Sequence, residues 1–496
     1  MTWGAVGAAR KGRGMLIEFR MKNFRSFRDE QRLSMVATAD KALLEANTVR
    51  PPSFKERLTR SAVIYGPNAS GKSNVILALA FVQLLVLTAV NSPPTSGRRA
   101  LDNPLLKPFV LDPEQRQAPT ECELTFLHNS IRYQYGFVVD RVCFHEEWLI
   151  AFPKGQPQTW FERKLRPDAR AATSERRQRT LFDYLEDNGG AQARDGDLYD
   201  WYFGPRLVGE KQRLAEITRA DVPFLAAAAT FGNQQLREVF GWFATKLSVL
   251  STATHPDLEA ETARRIANDP ALHEQVRDLL AQADIGIVDF TTREIHVDED
   301  PQASIVPEEL RSGLSTMDFQ RVEVSMRHRA PDLPEGAADF TGDDESLGTR
   351  RLFAIAGPIV SALQRGHVLA VDEIDGSLHP LLVRCLIALF HSPETNPHGA
   401  QLIMNTHDVT LLDTRLFRRD QIWFTEKDER GASRLYPLSD YSPRKDEALT
   451  KGYLHGRYGA VPFLDAFGAR LHGQEGERSR PRDRTRSRTT DGEATP

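Results

Sequence analysis

The pattern of apolar and polar positions changes period repeatedly along the first third of the chain. Met15-Leu16-Ile17-Glu18-Phe19-Arg20-Met21-Lys22, continuing to Phe27, alternates apolar with polar residues, which predicts a strand covered on one face. Gln31 to Val36 repeats the pattern as a return strand. Ala62 to Tyr65 is a short unbroken apolar run, the pattern of a buried strand. Val75 to Val90 is apolar over the length of a helix. It falls short of the about 20 residues that a bilayer span needs, so no membrane segment is expected. Glu121 to Ile150 alternates again, at Cys122, Leu124 and Phe126, at Ile131, Tyr133 and Tyr135, and at Val142, Phe144 and Trp148. A hairpin or meander turning at His128-Asn129-Ser130 is expected there.

Farther on, residues 163–220 are polar and Arg-rich, broken at Asp187-Asn188-Gly189-Gly190, and predict loosely packed helices. Their basic surface makes DNA or RNA a candidate ligand, against the simpler reading of a solvated helical face. Phe231 to Leu250, Leu258 to Ala267 and Leu272 to Ala283 predict helices, the last two separated at Asn268-Asp269-Pro270. Ile285 to His296 and Arg321 to His328 predict strands, followed by a polar loop from Ala330 to Asp344. Val368 to Val371 and Gln401 to Asn405 predict two buried strands. His472 to Pro496 has no apolar periodicity and predicts a disordered Arg-rich tail.

The chemistry concentrates where these strands end. The run Ala62–Tyr65 leads into Gly66-Pro67-Asn68-Ala69-Ser70-Gly71-Lys72-Ser73, two glycines followed by Lys-Ser at the spacing of a phosphate loop, and then into Asn74 and the apolar helix. Strand, glycine loop and helix aim backbone amides and a positive helix end at phosphate oxygens. Lys72 would reach the β- and γ-phosphates, and the Ser73 hydroxyl would hold Mg²⁺. A plain glycine turn is the alternative, and the flanking strand and helix argue against it. Val368–Val371 ends in Asp372 and Glu373, expected respectively to hold Mg²⁺ through water and to polarise the attacking water. Gln401–Asn405 ends at Thr406-His407, where His407 would sense the γ-phosphate.

Composition narrows the class. The chain has 496 residues, 40% of them hydrophobic and 27% charged, with a formal net charge of −4. That balance argues against a wholly basic nucleic-acid coat. Three cysteines, Cys122, Cys143 and Cys385, form no CxxC pair and suggest structural thiols in a cytoplasmic setting. Residues 1–14 carry Arg10, Lys11 and Arg13 with no apolar core behind them, so no signal peptide is read there.

Lys72 and Asp372 stand 300 residues apart, far more than a simple phosphate-loop domain needs. That layout resembles the ABC-type ATPases of the SMC, RecF and OLD families. Phe24-Arg25-Ser26-Phe27 resembles the strand turn that precedes their phosphate loop. Glu345-Ser346-Leu347-Gly348-Thr349 resembles the ABC signature, with Thr349 where Gln or Glu is usual. Asp375-Gly376-Ser377-Leu378-His379-Pro380 resembles the D-loop, and Asn405-Thr406-His407 the switch segment. Tyr133-Gln134-Tyr135-Gly136-Phe137, Glu146-Glu147-Trp148 and Gly456-Arg457-Tyr458-Gly459 extend the likeness to stand-alone RecF/OLD-like ATP-binding proteins of prokaryotic defence operons, exemplified by the ATPase subunit of the PARIS anti-phage system.

The resemblance implies an α/β fold, a P-loop NTPase of ABC ATPase type with a large insertion between its two halves. The expected divisions are a disordered extension over 1–14, an N-terminal half of the ATPase domain over 15–150, and a mainly helical lobe over 151–335. A C-terminal half over 336–470 and a disordered tail over 471–496 complete them. It implies ATP and Mg²⁺ as ligands, and two protomers, or a higher homo-oligomer, sandwiching the nucleotide. Ser346, Gly348 and Thr349 would act across the sandwich, with Asp375 in the D-loop and Arg25 and Ser26 beside the nucleotide in the same chain. Gln115 and Gln117 lie in the region of a Q-loop. The Toprim domain of OLD nucleases and the long coiled coils of SMC proteins are not expected. The implied function is an ATP-gated switch controlling a separately encoded effector, such as a nuclease, in anti-phage defence. The alternatives are a RecF-like ATP-dependent DNA-binding repair protein and an ATP-stabilised non-catalytic scaffold.

Overall fold

A computed structural model describes residues 14–91, 100–169, 195–255, 257–283, 286–296, 320–342, 344–441 and 449–461. The expected extension over 1–14 falls outside these residues except for Gly14, and the expected tail over 471–496 falls outside them entirely.

The chain begins with strands β1 (Met15–Lys22) and β2 (Gln31–Ser34), a short helix α1 (Leu44–Asn47), and the two-residue strands β3 (Thr48–Val49) and β4 (Leu58–Thr59). Strand β5 (Ser61–Tyr65) then leads through the glycine loop into α2 (Lys72–Thr88). Four long strands follow: β6 (Thr120–His128), β7 (Ile131–Val139), β8 (Phe144–Phe152) and β9 (Gln158–Leu165). After them come β10 (Tyr199–Phe203), α3 (Lys211–Ile217), α4 (Phe224–Thr230), α5 (Gln234–Thr245) and β11 (Leu247–Leu250). Helices α6 (Leu258–Ala267) and α7 (Pro270–Gln282) precede β12 (Ile287–His296), β13 (Gln320–Arg329) and β14 (Ala337–Thr341). The chain then runs through α8 (Leu347–Arg365), β15 (Val368–Val371), α9 (Pro380–His391), β16 (Gln401–Asn405), β17 (Ile422–Lys427), β18 (Ser433–Pro437) and α10 (Leu449–Leu454).

These strands form two principal sheets. One is antiparallel, in the order β10-β9-β8-β7-β6-β1-β2. The other has the order β11-β15-β16-β5-β17-β18, parallel from β11 to β17 and closed by antiparallel β18. Its central strands are four to six residues of almost pure apolar sequence, as expected where both faces are covered. Alternation divides them cleanly. Ala62, Ile64, Val368, Ala370 and Ile403 face the core that holds α2 and the antiparallel sheet. Val63, Tyr65, Leu369, Val371, Leu402 and Met404 face α8 and α9. Helix α2 is therefore apolar on every side because it lies between two sheets. The apolar helical segment runs through Asn91 and, by length and composition alone, reaches the size of a membrane span, longer than the sequence reading allowed. Val75–Val82, Leu85 and Val86 are all buried in protein.

The segment expected as a mainly helical lobe is mixed, and its proposed edges do not separate units. Residue 150 lies inside β8, and β9 and β10 extend the N-terminal sheet. The helix expected over Phe231–Leu250 stops at Thr245, because Leu247–Leu250 pairs in parallel with β15 at the edge of the second sheet. The expected polar loop over 330–344 contains β14, which pairs with β13. Propensity alone did not mark these segments, whose fate is set by strand partners distant in sequence. Of the Arg-rich stretch, residues 170–194 lie outside the described residues. The remainder is β9, β10 and α3 with their connections.

Glu147, of the Glu146-Glu147-Trp148 motif, has a structural role in the antiparallel sheet. Its side chain and that of Arg163 are both 0% exposed, and they meet at 2.8 Å. Glu147 also accepts from the Tyr135 hydroxyl and from the amides of Phe224 and Leu225, which open α4. One carboxylate thus joins β7, β8, β9 and a helix start. Glu147→Ala leaves Arg163 as a buried uncompensated charge, and a loss of about 3–5 kcal/mol in denaturant unfolding is expected.

Candidate functional site

The parallel order places β5, β15 and β16 side by side, so three motif-bearing strand ends emerge at one edge. This is the crevice outside the carboxyl ends of strands where α/β sheets bind ligands. A cavity of about 780 Å³ opens there, lined by Ser26, Asn68 to Asn74, Glu373, His407 and Lys427.

The glycine loop has the backbone conformation its sequence requires. Gly71 sits at φ 111°, and a Cβ there would come within 2.7 Å of Ser433 Oγ and 2.8 Å of Ser26 Oγ. Only glycine accepts that dihedral and that approach without strain. Three hydroxyls clamp the loop from outside. Ser433 Oγ donates to the Ser70 carbonyl at 2.6 Å, Ser70 Oγ pairs with Thr425 Oγ1 at 2.6 Å, and Asn74 Nδ2 donates to Ser26 Oγ at 2.7 Å. Lys72 Nζ donates to the Gly66 and Pro67 carbonyls at 2.8 and 3.1 Å, folding its side chain over the loop. Burial pushes the Lys72 ammonium down to about 8, against the opposing pull of Glu373, Asp372 and Asp375.

The carboxylate end is organised by Asn405. Its amide Nδ2 donates to Asp372 Oδ1 at 2.5 Å and its Oδ1 accepts the Glu373 amide at 2.5 Å. Glu373 takes φ 51°, an uncommon conformation for a non-glycine residue, and projects into the cavity, while Asp372 stands behind it. Arg351 of α8 supports the same turn by donating to the carbonyls of Asp372 and Glu373, both at 3.3 Å. His407 reaches the cavity from the end of β16, and its amide donates to Asp375 Oδ2 at 3.1 Å. The segments that follow β15 and β16 are thereby joined within one chain.

Several sequence-derived candidates lie elsewhere. Ser346 caps α8, accepting the Thr349 amide at 3.0 Å and pairing with the Thr349 hydroxyl at 2.8 Å. Ser346, Gly348 and Thr349 line no part of this chain's own cavity, and Ser346 and Leu347 are exposed. Arg25 is turned away as well. Its Nε donates to the Leu105 carbonyl at 3.3 Å, so it braces the 104–107 segment while its neighbour Ser26 lines the cavity. Gln115 and Gln117 do not line the cavity either. The sequence reading missed Lys427, Thr425 and Ser433, all on the β17–β18 hairpin. Their signal was the apolar run Ile422–Phe424, which leads directly to Thr425 and Lys427. It named Asn405 only as part of the switch, and it missed Arg351, which no spacing rule marks.

A parallel sheet of this order, with a phosphate loop after one strand and paired carboxylates after another, defines a P-loop ATPase of ABC type. A family model described as "AAA domain, putative AbiEii toxin, Type IV TA system" matches residues 61–413, and the chain belongs to that family. Among solved structures, the Smc head bound to the C-terminal winged-helix domain of ScpA is similar. It has 14% identity and a TM-score of 0.36, with 85% of this chain and 97% of that chain covered. The Smc head with an extended coiled coil, bound to the C-terminal domain of ScpA and derived from Pyrococcus furiosus, has 14% identity and a TM-score of 0.37. It covers 86% of this chain and 98% of that one. No curated protein matches the sequence.

The residues present fit a Mg²⁺-nucleotide, because a cation, glycine-loop amides, the Ser73 hydroxyl and Glu373 all border one cavity, with Asp372 directly behind. Asn405→Ala frees the Asp372 carboxylate to rotate and releases the backbone amide of Glu373, while leaving the glycine loop untouched. ATP affinity is expected to stay within a few-fold and turnover to fall about 10–100-fold, as for other residues that orient a metal site. Protonation gives a second test. With Lys72 near 8 in the free protein, polyphosphate binding restores the charged form, so ATP binding at pH 8 takes up about half a proton. Calorimetry in buffers of different ionisation enthalpy reads this uptake, which is expected to vanish in Lys72→Ala.

Proposed function

We propose that the protein hydrolyses ATP and uses it as a switch between two copies of itself. The observation that carries this reading is a division of the site. The phosphate loop, Glu373 and His407 border one cavity, while Ser346 and Leu347 are exposed away from it on the same chain. A second copy, related by a two-fold axis, supplies that segment to the open side of the cavity. Its Ser346 hydroxyl and the unpaired amides at the start of α8 then meet the γ-phosphate.

In this reading the glycine-loop amides and Lys72 hold the β- and γ-phosphates, and Ser73 and Asp372 would hold Mg²⁺. The bound metal neutralises charge that develops on the phosphate oxygens. Glu373 polarises the attacking water, positioned by Asn405 through its backbone amide. His407 donates to the γ-phosphate and reports its loss through Asp375, which its amide holds. Hydrolysis therefore loosens the contact between copies.

The same reading makes the protein the ATP-gated half of a two-part anti-phage system in the cytoplasm, controlling a separately encoded effector of the nuclease class. Support comes from the sequence likeness to defence-operon ATPases and from a family description that names a toxin–antitoxin system. Glu373→Gln separates the alternatives. Turnover is expected to drop at least about 100-fold, and light scattering with ATP and Mg²⁺ to show a trapped dimer. A mutant that hydrolyses ATP normally, or remains monomeric with ATP, overturns the switch. ATP-dependent, salt-sensitive DNA binding without any co-purifying effector would instead favour a repair clamp.

A further inference from the structure

The turn between β7 and β8 carries a cluster that the ATP site does not use. Asp140, Cys143 and His145 each present one donor atom, and the three atoms lie within 4.8 Å of one another. Strand alternation explains two of them. Phe144 points into the main core, where its ring meets Phe137 edge-on, so Cys143 and His145 fall together on the opposite face. The turn returns Asp140 to that face. Its Oδ1 accepts the amides of Val142 and Cys143 at 2.7 and 3.1 Å, which fixes the carboxylate and leaves Oδ2 directed at His145.

The contact between His145 and Asp140 has an unusual form. Nε2 stands 3.2 Å from Asp140 Oδ2, yet it is a buried atom without a hydrogen-bond partner, so the approach lacks the angle of an N–H···O bond. A nitrogen and an oxygen at that separation also match two ligands of one small cation. With metal–ligand bonds of about 2.0–2.1 Å in a tetrahedral arrangement, neighbouring N and O ligands stand a little over 3 Å apart. Cys143 is 1% exposed, and its sulfur lies within 4.8 Å of both atoms.

The geometry points to a divalent metal site at Asp140, Cys143 and His145, with zinc as the ion that a thiolate, an imidazole and a carboxylate select together. Water would complete the tetrahedron. The site pins the β7–β8 turn where it meets the 218–222 segment, since the neighbouring Phe144 amide donates to the Ala220 carbonyl at 2.9 Å. None of the residues lining the nucleotide cavity belongs to β7 or β8. The site therefore stands apart from the ATPase reading and does not depend on it.

The test is metal analysis of the full chain, purified with a tag free of histidine and without chelator. About one zinc per chain is expected. Replacement by cobalt should give a thiolate-to-metal charge-transfer band. Cys143→Ser should abolish that band and His145→Gln should lower bound metal at least about 10-fold. Cys385→Ser, which removes the exposed thiol, should change neither. Thermal melts of each variant, with and without chelator, separate unfolding from loss of a ligand. The metal-loaded chain should melt higher and the Cys143→Ser chain should ignore the chelator. A chain that carries no zinc and takes up no cobalt, or zinc that persists in Cys143→Ser, reduces the cluster to an Asp–His ion pair and overturns the proposal.

Discussion

Burial of α2 on all sides is the constraint on which the rest of the structure depends. A helix that begins at Lys72 of the glycine loop and is apolar around its circumference needs a protein surface on each face. The antiparallel sheet and the parallel sheet supply two such surfaces, and the loop before the helix is held between β5 and the β17–β18 hairpin. Fixing α2 fixes the direction of its first-turn amides. The glycine loop then needs little freedom of its own, and three hydroxyl contacts are sufficient to define it.

Polar side chains also join the two sheets directly. Gln401, at the start of β16, accepts the Leu16 amide at 2.7 Å and donates to the carbonyls of Leu16 and Thr59, each at 3.1 Å. All of this is buried, where an unpaired amide would cost about 1–3 kcal/mol. The side chain therefore does more than fill space. It sets the position of the first strand of one sheet against a central strand of the other. The Walker-type carboxylates and the phosphate loop sit on that same central group of strands.

The sequence made the central parallel strands and the phosphate loop legible, because short apolar runs ending in Gly-Lys-Ser, Asp-Glu and Asn-Thr-His carry both fold and chemistry in adjacent residues. The meander over 120–152 was legible for the same reason, through unbroken alternation. Leu247–Leu250 was not, since three apolar residues and a serine after an amphipathic helix read equally well as its last turn, and only pairing with β15 decides the matter. Lys427 and Ser433 were hidden differently. Lys427 borders the cavity and Ser433 bonds the loop from a hairpin more than 350 residues farther along the chain, and no local rule connects positions so far apart. Arg25 shows the converse. Its motif was recognised, but the turn at Phe24–Phe27 gives the cavity to Ser26 and turns the guanidinium toward a neighbouring loop.

Arg351 has a consequence for how the site can be read from outside. It lies little more than a turn beyond Ser346 on α8, yet its guanidinium holds the carbonyls of Asp372 and Glu373. Leu347 and Arg351 stand on one helix, so the exposed end and the donor to those carbonyls share one element. The exposed end of α8 and the turn that carries Glu373 are thus linked through a single side chain.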